Sequence, residues 1–289
     1  MAGKTPRSDV RAALVGQGIS RSLTPAMHEA EGRALGLNYS YDIVDTNSAS
    51  YLDISLREII QKSNTDGFSG LNITHPYKVK VIQYLDELSD NARMLGAVNT
   101  VIFRDGKSIG YNTDYSGFST AFRQGLGDAP KDKVLLLGAG GAGSAVGFAL
   151  LDCGAHNLII HDIEPARAKE LRQKLLARHP KANITSTGIL NRSITHSLSG
   201  IVNATPIGMD KYPGSAFPLE LLCSETWVAD IVYFPLETKL LAFAGALGCR
   251  VMSGAGMAIS QAVHSFELFT GQPGNTARFA AEFGRLIKA

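Results

Sequence analysis

The fold is decided by residues 133–162, which read KVLLLGAGGAGSAVGFALLDCGAHNLIIHD. Val134–Leu137 is an apolar run of strand length, and it breaks into a glycine-rich segment at 138–143. An apolar helical pattern follows, and a second short apolar run, at 158–160, ends just before Asp162. A strand, a glycine turn, a helix, a strand and an acid in this order are the sequence fingerprint of a dinucleotide-binding unit.

The glycines of this turn have separate roles in such a unit. Gly138 permits the tight turn, Gly140 lets backbone amides approach a diphosphate, and Gly143 lets the helix pack closely on the strand. The diphosphate then lies at a helix N-terminus, where unpaired N–H groups and the helix dipole favour an anion. Asp162 can accept hydrogen bonds from both hydroxyls of the adenosine ribose. The predicted cofactor-binding turn comprises Gly138, Ala139, Gly140, Gly141, Ala142 and Gly143.

The main alternative for this stretch is a membrane helix. Residues 134–151 contain no charged side chain, and a run of that length can span a bilayer. However, five glycines interrupt the run, and each costs a helix interior about 1 kcal/mol relative to alanine. We therefore expect a dinucleotide-binding unit and no membrane segment.

The composition is that of an ordinary globular protein. A length of 289 residues predicts about two domains, with 45% hydrophobic and 19% charged residues. The net charge of +2 and the lack of a long Lys/Arg run argue against a nucleic-acid-binding surface.

The cysteines and histidines give no sign of a disulfide set or a metal site. Cys153, Cys223 and Cys249 are odd in number, widely spaced and flanked by apolar residues, so we expect small buried side chains in a reducing compartment. The seven histidines show no metal-ligand spacing, and no metal is predicted. Residues 1–9 are polar and no apolar signal core follows them, which predicts a cytoplasmic protein.

Strands alternate with helices along most of the chain, which predicts an α/β fold with a mostly parallel, helix-covered sheet. In the first part of the chain the strand patterns lie at 12–16, 39–44 and 68–73. One helix is expected to begin at Thr24-Pro25, with Thr24 as its N-cap, and a second to span 52–60. Two further strands are expected to pair around a turn at Asp105-Gly106.

Polar side chains gather where the predicted strands of this first part end. They are Ser22, Thr24, Asn72, Thr74, Lys78, Asn99, Asn112 and Asp114. In open α/β sheets, ligands bind outside the carboxyl ends of the strands. Hydroxyls, amides, one ammonium and one carboxylate suit a small polyol acid, and a lysine with an aspartate in one cleft forms a proton-transfer pair.

Each of these residues also has a purely structural interpretation. Thr24 can serve only as an N-cap, Asn72 and Asn99 can be turn residues, and Asp114 can cap the helix that follows it. Lys78, taken singly, is better explained as a solvated lysine beside Lys80. The set as a whole, rather than any one member, favours a site.

Seven motifs occur in an order typical of one protein family. They are Ser22-x-Thr24-Pro25, Asn72-x-Thr74-x-Pro76-x-Lys78, Gly96-Ala97-Val98-Asn99-Thr100, Asn112-Thr113-Asp114, Gly138-x-Gly-Gly-x-Gly143, Asn203-Ala204-Thr205-Pro206 and Gly256-Met257-x-x-x-Gln261. With these motifs the chain resembles the shikimate dehydrogenase family, more closely its quinate/shikimate dehydrogenase branch. The resemblance covers nearly the whole chain. It implies a discontinuous substrate-binding domain at 1–115 and 256–289, an NAD-binding Rossmann domain at 116–255, and a cleft between the two.

The resemblance also implies roles for individual residues. Lys78 and Asp114 become the catalytic pair at the hydroxyl that is oxidised. The other implied substrate-binding residues are Ser22 and Thr24, which would hold the carboxylate, and Asn72, Thr74, Asn99, Tyr233 and Gln261, which would lie around the ring. The implied cofactor-binding residues beyond the glycine turn are Asp162, Arg167, Asn203, Thr205, Pro206, Val232, Gly254 and Met257.

Departures from the biosynthetic enzymes of this family bear on cofactor and substrate. Thr24 stands where those enzymes usually have a second serine, and Asp162-Ile163-Glu164 replaces their usual basic cluster for a 2′-phosphate, with Arg167 further on. Both departures favour NAD, with NADP weaker, and the quinate-using branch. Ser260 favours shikimate over quinate, because some quinate enzymes have a histidine there.

The sequence therefore predicts an NAD-dependent oxidoreductase that acts on a small cyclohexane or cyclohexene carboxylate: shikimate, quinate or both. An aminoshikimate-type dehydrogenase stays open, since the pocket residues do not fix one ring substituent. A function of a different class is also open: a nucleotide-sensing regulator that does not catalyse a reaction. The intact Lys78 and Asp114 argue against it. No nucleic-acid or membrane partner is expected. The oligomeric state is open, with a homodimer as one candidate.

Overall fold

The computed structural model describes residues 9–288, which form two compact α/β units. One unit contains the chain up to Thr113 and again from Ile259, and the other runs from Asp114 to Ala258. The predicted α/β class, with parallel strands, covering helices and a Rossmann-type unit, is confirmed. Most of the polar start on which the cytoplasmic prediction rests, at 1–8, lies outside the described residues.

The strands, in chain order, are β1 (Asp9–Gly16), β2 (Asn38–Asp45), β3 (Gly70–Ile73), β4 (Glu87–Leu88), β5 (Thr100–Arg104), β6 (Lys107–Tyr111), β7 (Val134–Leu137), β8 (Asn157–His161), β9 (Asn183–Thr187), β10 (Gly200–Asn203), β11 (Trp227–Asp230) and β12 (Val251–Met252). The helices are α1 (Thr24–Ala34), α2 (Leu56–Thr65), α3 (Asp90–Leu95), α4 (Thr113–Leu126), α5 (Gly141–Asp152), α6 (Pro165–Arg178), α7 (Arg192–Thr195), α8 (Lys239–Ala246), α9 (Ala255–Thr270) and α10 (Thr276–Ile287). Short 3-10 helices lie at Lys80–Tyr84 and Leu219–Leu221. Between residues 9 and 288, no helix is long and apolar enough to cross a membrane.

The sheet of the first unit is mixed, in the order β2-β1-β3-β5-β6-β4. β1 lies parallel between β2 and β3, whereas β5 is antiparallel to both β3 and β6. The predicted pairing around Asp105 and Gly106 is confirmed, with φ angles of 52° and 74° at the turn between β5 and β6. Positive φ at both central residues is what a type I′ hairpin turn requires. Because β1 and β3 are parallel, the loops that follow them leave the same edge of the sheet.

The sheet of the second unit is entirely parallel, in the order β12-β11-β10-β7-β8-β9. The chain moves outward from β7 to β9 and then returns to the other side of β7 with β10. This is a doubly wound arrangement, and its ligand crevice opens where the strand order reverses, at the carboxyl end of β7. β7, β10 and β11 are buried along their whole length, which explains their short unbroken apolar runs.

Two helix starts differ from the sequence prediction. The N-cap of α1 is Leu23, with no side-chain cap, so Thr24 is the first helical residue and its predicted role as N-cap is wrong. α2 begins at Leu56 rather than at residue 52. Ser55 accepts a hydrogen bond from the Glu58 N–H, and the Glu58 carboxylate accepts one from the Ser55 N–H. This capping box fixes the start of α2, and its Ser-x-x-Glu spacing is the sequence signal that indicates it.

The cysteines meet the prediction only in part. All three are free thiols; Cys249 is buried and Cys153 half-buried, but Cys223 is exposed. The prediction of a buried side chain is therefore wrong for Cys223. It lies in the loop before β11, where the preceding Leu222 turns into the core and Cys223 faces water.

An ion pair with a buried carboxylate holds α10 to α1. The side chain of Glu31 is fully buried and accepts hydrogen bonds from Nε and a terminal nitrogen of Arg278, at 2.6 and 2.7 Å. The same carboxylate accepts the backbone N–H of Asn275 at 2.9 Å. His28, one turn earlier in α1, packs in a cluster of rings formed by Tyr39, Tyr41, Phe266, Phe269 and Phe279. Burial lowers the pKa of His28 to about 3, so it is a neutral member of this core.

Removing the cation of this pair should destabilise the protein strongly. We expect Arg278→Ala to lower the free energy of unfolding by on the order of 3 kcal/mol, because Glu31 is left as a buried carboxylate without its partner. Urea unfolding followed by circular dichroism measures the loss. Arg285→Ala is the matched control on the same helix: the carboxylate side chain of its partner Glu282 is 17% exposed instead of fully buried, so the loss should stay below about 1 kcal/mol. Equal losses in the two variants would contradict the special role of the Glu31 pair.

Candidate active site

The loops that follow β1 and β3 bring predicted substrate residues to one edge of the first sheet. Val15 pairs with Ile73 at the ends of the two strands, and the Thr74 N–H donates to the Val15 carbonyl at 3.0 Å. Ser22 and Thr24 are both half-buried, and the Ser22 hydroxyl accepts the Thr24 N–H at 3.3 Å. The edge therefore presents two neighbouring hydroxyls, a pair that can donate hydrogen bonds to a carboxylate.

Asn72 and Asn99 belong to a hydrogen-bond network under this edge. Oδ1 of Asn72 accepts the Tyr41 hydroxyl at 2.6 Å, and its Nδ2 donates to Thr100 Oγ1 at 3.0 Å. Oδ1 of Asn99 accepts the backbone N–H of Thr113 at 2.7 Å. Each asparagine is only 4% exposed. The two amides therefore hold the strand ends and the start of α4, and a direct contact of either with substrate stays a prediction.

Lys78 lies in the turn between β3 and the 3-10 helix at Lys80–Tyr84. Its carbonyl accepts the Val98 N–H at 2.8 Å, which ties the turn to the segment before β5. The Lys78 side chain is half-buried, whereas that of Lys80 is exposed. This difference in burial separates Lys78 from an ordinary surface lysine. Gln261, in α9 of the same unit, is also half-buried.

Asp114 and Tyr233 lie in the second unit. Asp114 stands in the first turn of α4 and is 7% exposed, directly after the Thr113 that Asn99 holds. Desolvation raises the pKa of the Tyr233 hydroxyl, and the charge of Asp114 raises it further. The structure thus places these two predicted site residues in one electrostatic environment.

The glycine turn of the second unit has the shape that a dinucleotide requires. Gly138 has a φ of +94°, and a Cβ on Gly143 would lie 2.1 Å from the Gly138 carbonyl oxygen. A Cβ on Gly140 or Gly141 would meet no atom within 4 Å. The outer two glycines are thus required by the fold, while the inner two leave open space beside the backbone. α5 begins here with no side-chain cap, so its first N–H groups can bind an anion.

Asp162 is fixed beside this turn. Its Oδ2 accepts the Ala139 N–H at 2.7 Å and its Oδ1 accepts the Glu164 N–H at 2.8 Å. A carboxylate oxygen has two lone pairs, so each oxygen keeps one for a ribose hydroxyl. Arg167, the possible phosphate ligand nearby, instead binds Glu164: Nε donates at 3.0 Å and a terminal nitrogen lies 2.8 Å from the carboxylate. The residues at this end of the turn therefore fit NAD better than NADP.

Asn203 organises the loop that follows β10. Its Oδ1 accepts both the backbone N–H and the hydroxyl of Thr205, at 3.0 and 2.7 Å, and its Nδ2 donates to the Ile207 carbonyl at 2.9 Å. A Cβ on Gly138 would come within 2.9 Å of the Thr205 methyl, so this loop lies against the glycine turn. Asn203, Thr205 and Pro206 are thus brought to the crevice, with Asn203 in a supporting position.

The segments after β11 and β12 carry the remaining predicted cofactor residues. Val232 is buried, and its carbonyl accepts the Gly254 N–H at 3.2 Å. A Cβ on Gly254 would lie 2.3 Å from the Ile231 carbonyl oxygen, so the two segments are in direct contact. Met257 follows in the first turn of α9 and is 7% exposed.

Asp230 is a buried residue that the sequence interpretation missed. It ends β11 directly beside Asn203, which ends β10. Its carboxylate accepts Asn203 Nδ2 at 3.0 Å, the Val232 N–H at 3.0 Å and the Thr238 hydroxyl at 2.8 Å. Desolvation raises the pKa of Asp230 to about 6, although these hydrogen bonds act to lower it. The sequence did contain a signal for Asp230, namely its position, since an acidic residue at the end of a buried strand lies at the edge of the sheet where the crevice opens.

Comparisons with known proteins find relatives along nearly the whole chain. The shikimate dehydrogenase substrate binding domain matches residues 14–101. Shikimate dehydrogenase (NADP(+)) of Pseudarthrobacter chlorophenolicus is 46% identical, over 96% of this chain and 94% of its own. Quinate/shikimate dehydrogenase (NAD(+)) of Corynebacterium efficiens is 44% identical, over 93% and 96%. The structure of quinate dehydrogenase from Corynebacterium glutamicum in complex with NAD superposes with a TM-score of 0.91 at 41% identity, covering 96% of this chain and 99% of that one.

The burial of Asp230 predicts a pH-dependent stability difference. The folded-state pKa lies above the usual value of 3.8, so the fold binds the proton more tightly than the unfolded chain. Stability from this group is therefore fully present below pH 3.8 and lost as the pH rises through about 6, a loss on the order of 3 kcal/mol. Asp230→Asn has no such charge to bury. Its melting temperature relative to the wild type should therefore rise between pH 5 and pH 7.5, and a constant difference would contradict the prediction.

Proposed function

The chain belongs to the shikimate dehydrogenase family, and from this we propose that it is an NAD-dependent oxidoreductase that interconverts shikimate with 3-dehydroshikimate and quinate with 3-dehydroquinate. The observation that carries the proposal is the pairing of an open glycine turn with a fixed Asp162 at its edge. The turn suits a diphosphate, and the acid suits two ribose hydroxyls.

The choice of NAD over NADP rests on charge. A 2′-phosphate would meet the carboxylate of Asp162, which two backbone N–H groups hold in place. Glu164 adds a second negative charge next to it and engages Arg167. Like charges at close range repel, and the nearby cation, Arg167, is paired with Glu164. NAD, which has a hydroxyl at that position, avoids the conflict.

The substrate class follows from the edge of the first sheet. Ser22 and Thr24 offer two half-buried hydroxyls for a carboxylate, and we assign ring hydroxyls to Thr74, Asn99 and Gln261. Relatives of similar identity are named for shikimate with NADP and for quinate and shikimate with NAD. Similarity over the whole chain therefore does not select between the two acids, and we propose that both are oxidised.

In the proposed reaction a secondary alcohol becomes a ketone. The hydroxyl proton must leave the oxygen while hydride leaves the carbon, and NAD accepts that hydride when bound. Lys78 takes the proton or stabilises the developing alkoxide, and Asp114 orients the hydroxyl. Neither residue alone is assigned the proton. Asp114 is buried and Lys78 is half-buried, and this supports the role, since exclusion of water strengthens their interaction with the substrate.

The function is tested by mixing the protein with NAD or NADP and with shikimate, quinate or neither, and recording absorbance of the reduced nicotinamide. We expect both acids to be oxidised with NAD, at a kcat/KM at least about tenfold above that with NADP. Asp162→Ser should reduce this preference, because it removes the charge that disfavours the 2′-phosphate. Equal kcat/KM values for the two cofactors would refute the assignment of Asp162. Turnover of shikimate alone would refute the dual substrate.

The catalytic assignment is tested with Lys78→Ala. We expect kcat to fall by about 10²–10⁴-fold with a modest change in KM, since the lost interaction grows in the transition state. Lys80→Ala, two positions along and exposed, is the matched control and should keep wild-type kcat. Asp114→Asn should weaken both substrate binding and rate, and the double variant should lose less than the sum of the two single losses. A Lys78→Ala enzyme that keeps more than about a tenth of kcat would make Lys78 a structural lysine.

A further inference from the structure

Asp230 stands where three hydrogen-bond donors converge. Asn203 Nδ2, the Val232 N–H and the Thr238 hydroxyl all point at its carboxylate. Thr238 Oγ1 also accepts the Leu241 N–H at 3.3 Å as the N-cap of α8, which leaves its own proton for Asp230. A group that only accepts hydrogen bonds is needed here, and an ionised carboxylate is the side chain that provides one.

The position is costly for a charged group. Asp230 is fully buried, and all three of its donors are uncharged. A buried carboxylate without a cationic partner destabilises a fold unless its hydrogen bonds are complete. A buried carboxylate such as that of Asp230, at the end of a strand, indicates a role other than stabilising the fold.

The partners of Asp230 lead directly to the crevice. Through Asn203 it is connected to Thr205, whose methyl lies against the Gly138 turn. Through the Val232 N–H it fixes the first residues after β11, and the Val232 carbonyl in turn accepts the Gly254 N–H. Asn203, Thr205, Val232 and Gly254 are among the residues for which the family resemblance implies a place beside the cofactor. One carboxylate thus braces three crevice segments, those that follow β10, β11 and β12.

We propose that Asp230 is a positioning residue for the dinucleotide: its buried carboxylate fixes the loops after β10 and β11 in the conformation that binds the cofactor. This inference rests on the proposed function, because the loops can position a dinucleotide only if the protein binds one. Asp230 itself does not touch the ligand. Its effect should therefore be the same for NAD and NADP, since it does not act at the 2′-position that distinguishes them.

The test compares Asp230→Ala with Asp230→Asn and with Thr226→Val as a matched control. Thr226 precedes the opposite end of β11, is 4% exposed and donates to the Leu198 carbonyl at 3.1 Å, so its loss removes a buried hydrogen bond far from the crevice. Fluorescence titration gives Kd for NADH and NADPH, steady-state kinetics give KM and kcat, and thermal unfolding gives Tm.

We expect Asp230→Ala to raise Kd by about tenfold for both dinucleotides, with KM for NAD rising more than kcat falls. Asp230→Asn, which can still accept two of the three hydrogen bonds, should recover most of the affinity. Thr226→Val should lower Tm and leave Kd unchanged. A folded Asp230→Ala protein with wild-type Kd, or a Kd change matched by Thr226→Val, would overturn the proposal.

Three further outcomes are distinguished by the same measurements. Where Asp230→Ala fails to fold, Thr238→Val decides: a raised Kd in Thr238→Val supports the proposal, and a wild-type Kd overturns it. A wild-type protein that prefers NADPH refutes the proposed cofactor, but the fold-change in Kd that Asp230→Ala causes can still be measured. A wild-type protein that binds neither dinucleotide refutes the proposed function itself.

Discussion

The second unit depends on one close contact, that between the start of α5 and the end of β7. A Cβ at Gly143 would lie 2.1 Å from the carbonyl oxygen of Gly138, so only glycine permits the helix to approach the strand in this way. The approach points the N-terminus of α5 at the carboxyl edge of the sheet. It also leaves the backbone at Gly140 and Gly141 uncovered. The packing requirement and the anion site are therefore two consequences of the same geometry.

Both units stabilise their strand ends in the same way. In the first unit, Asn72 and Asn99 join β3, β5 and the start of α4; in the second, Asn203 and Asp230 join β10, β11 and α8. Buried polar side chains destabilise a fold unless they are hydrogen-bonded, and these four are. Their hydrogen bonds turn flexible loop starts into fixed positions. Residues that sit just beyond and for which we propose a role in binding, such as Thr205 and Asp114, thereby lose conformational freedom before a ligand arrives.

The parts of this fold that were predictable from sequence are those set by local signals. The strand–turn–helix at β7 and α5 and the hairpin at Asp105-Gly106 depend on glycines and apolar periods within a few residues. The start of α2 was misplaced because Leu52 and Ile54 extend the apolar pattern past the Ser55 cap. The pair of Glu31 and Arg278 joins residues 247 positions apart. The role of Asp230 depends on Asn203, which lies beside it on the neighbouring strand. Partnerships of this kind arise from tertiary packing and strand register, which no local pattern contains.

Cofactor choice in this chain depends on which charges can move. Arg167 and Glu164 are both exposed, and an exposed pair of this kind is held by about 1 kcal/mol or less, so Arg167 could leave its partner for a phosphate at little cost. Asp162 differs, because it is 9% exposed and bound by two backbone N–H groups that belong to the turn and to the start of the next loop. It cannot withdraw without disturbing the turn. Under the proposed function, selection for NAD therefore rests on the immobile carboxylate rather than on the ion pair. Relatives that are 46% and 44% identical to this chain are named for NADP and for NAD, so identity over the whole chain does not select the dinucleotide.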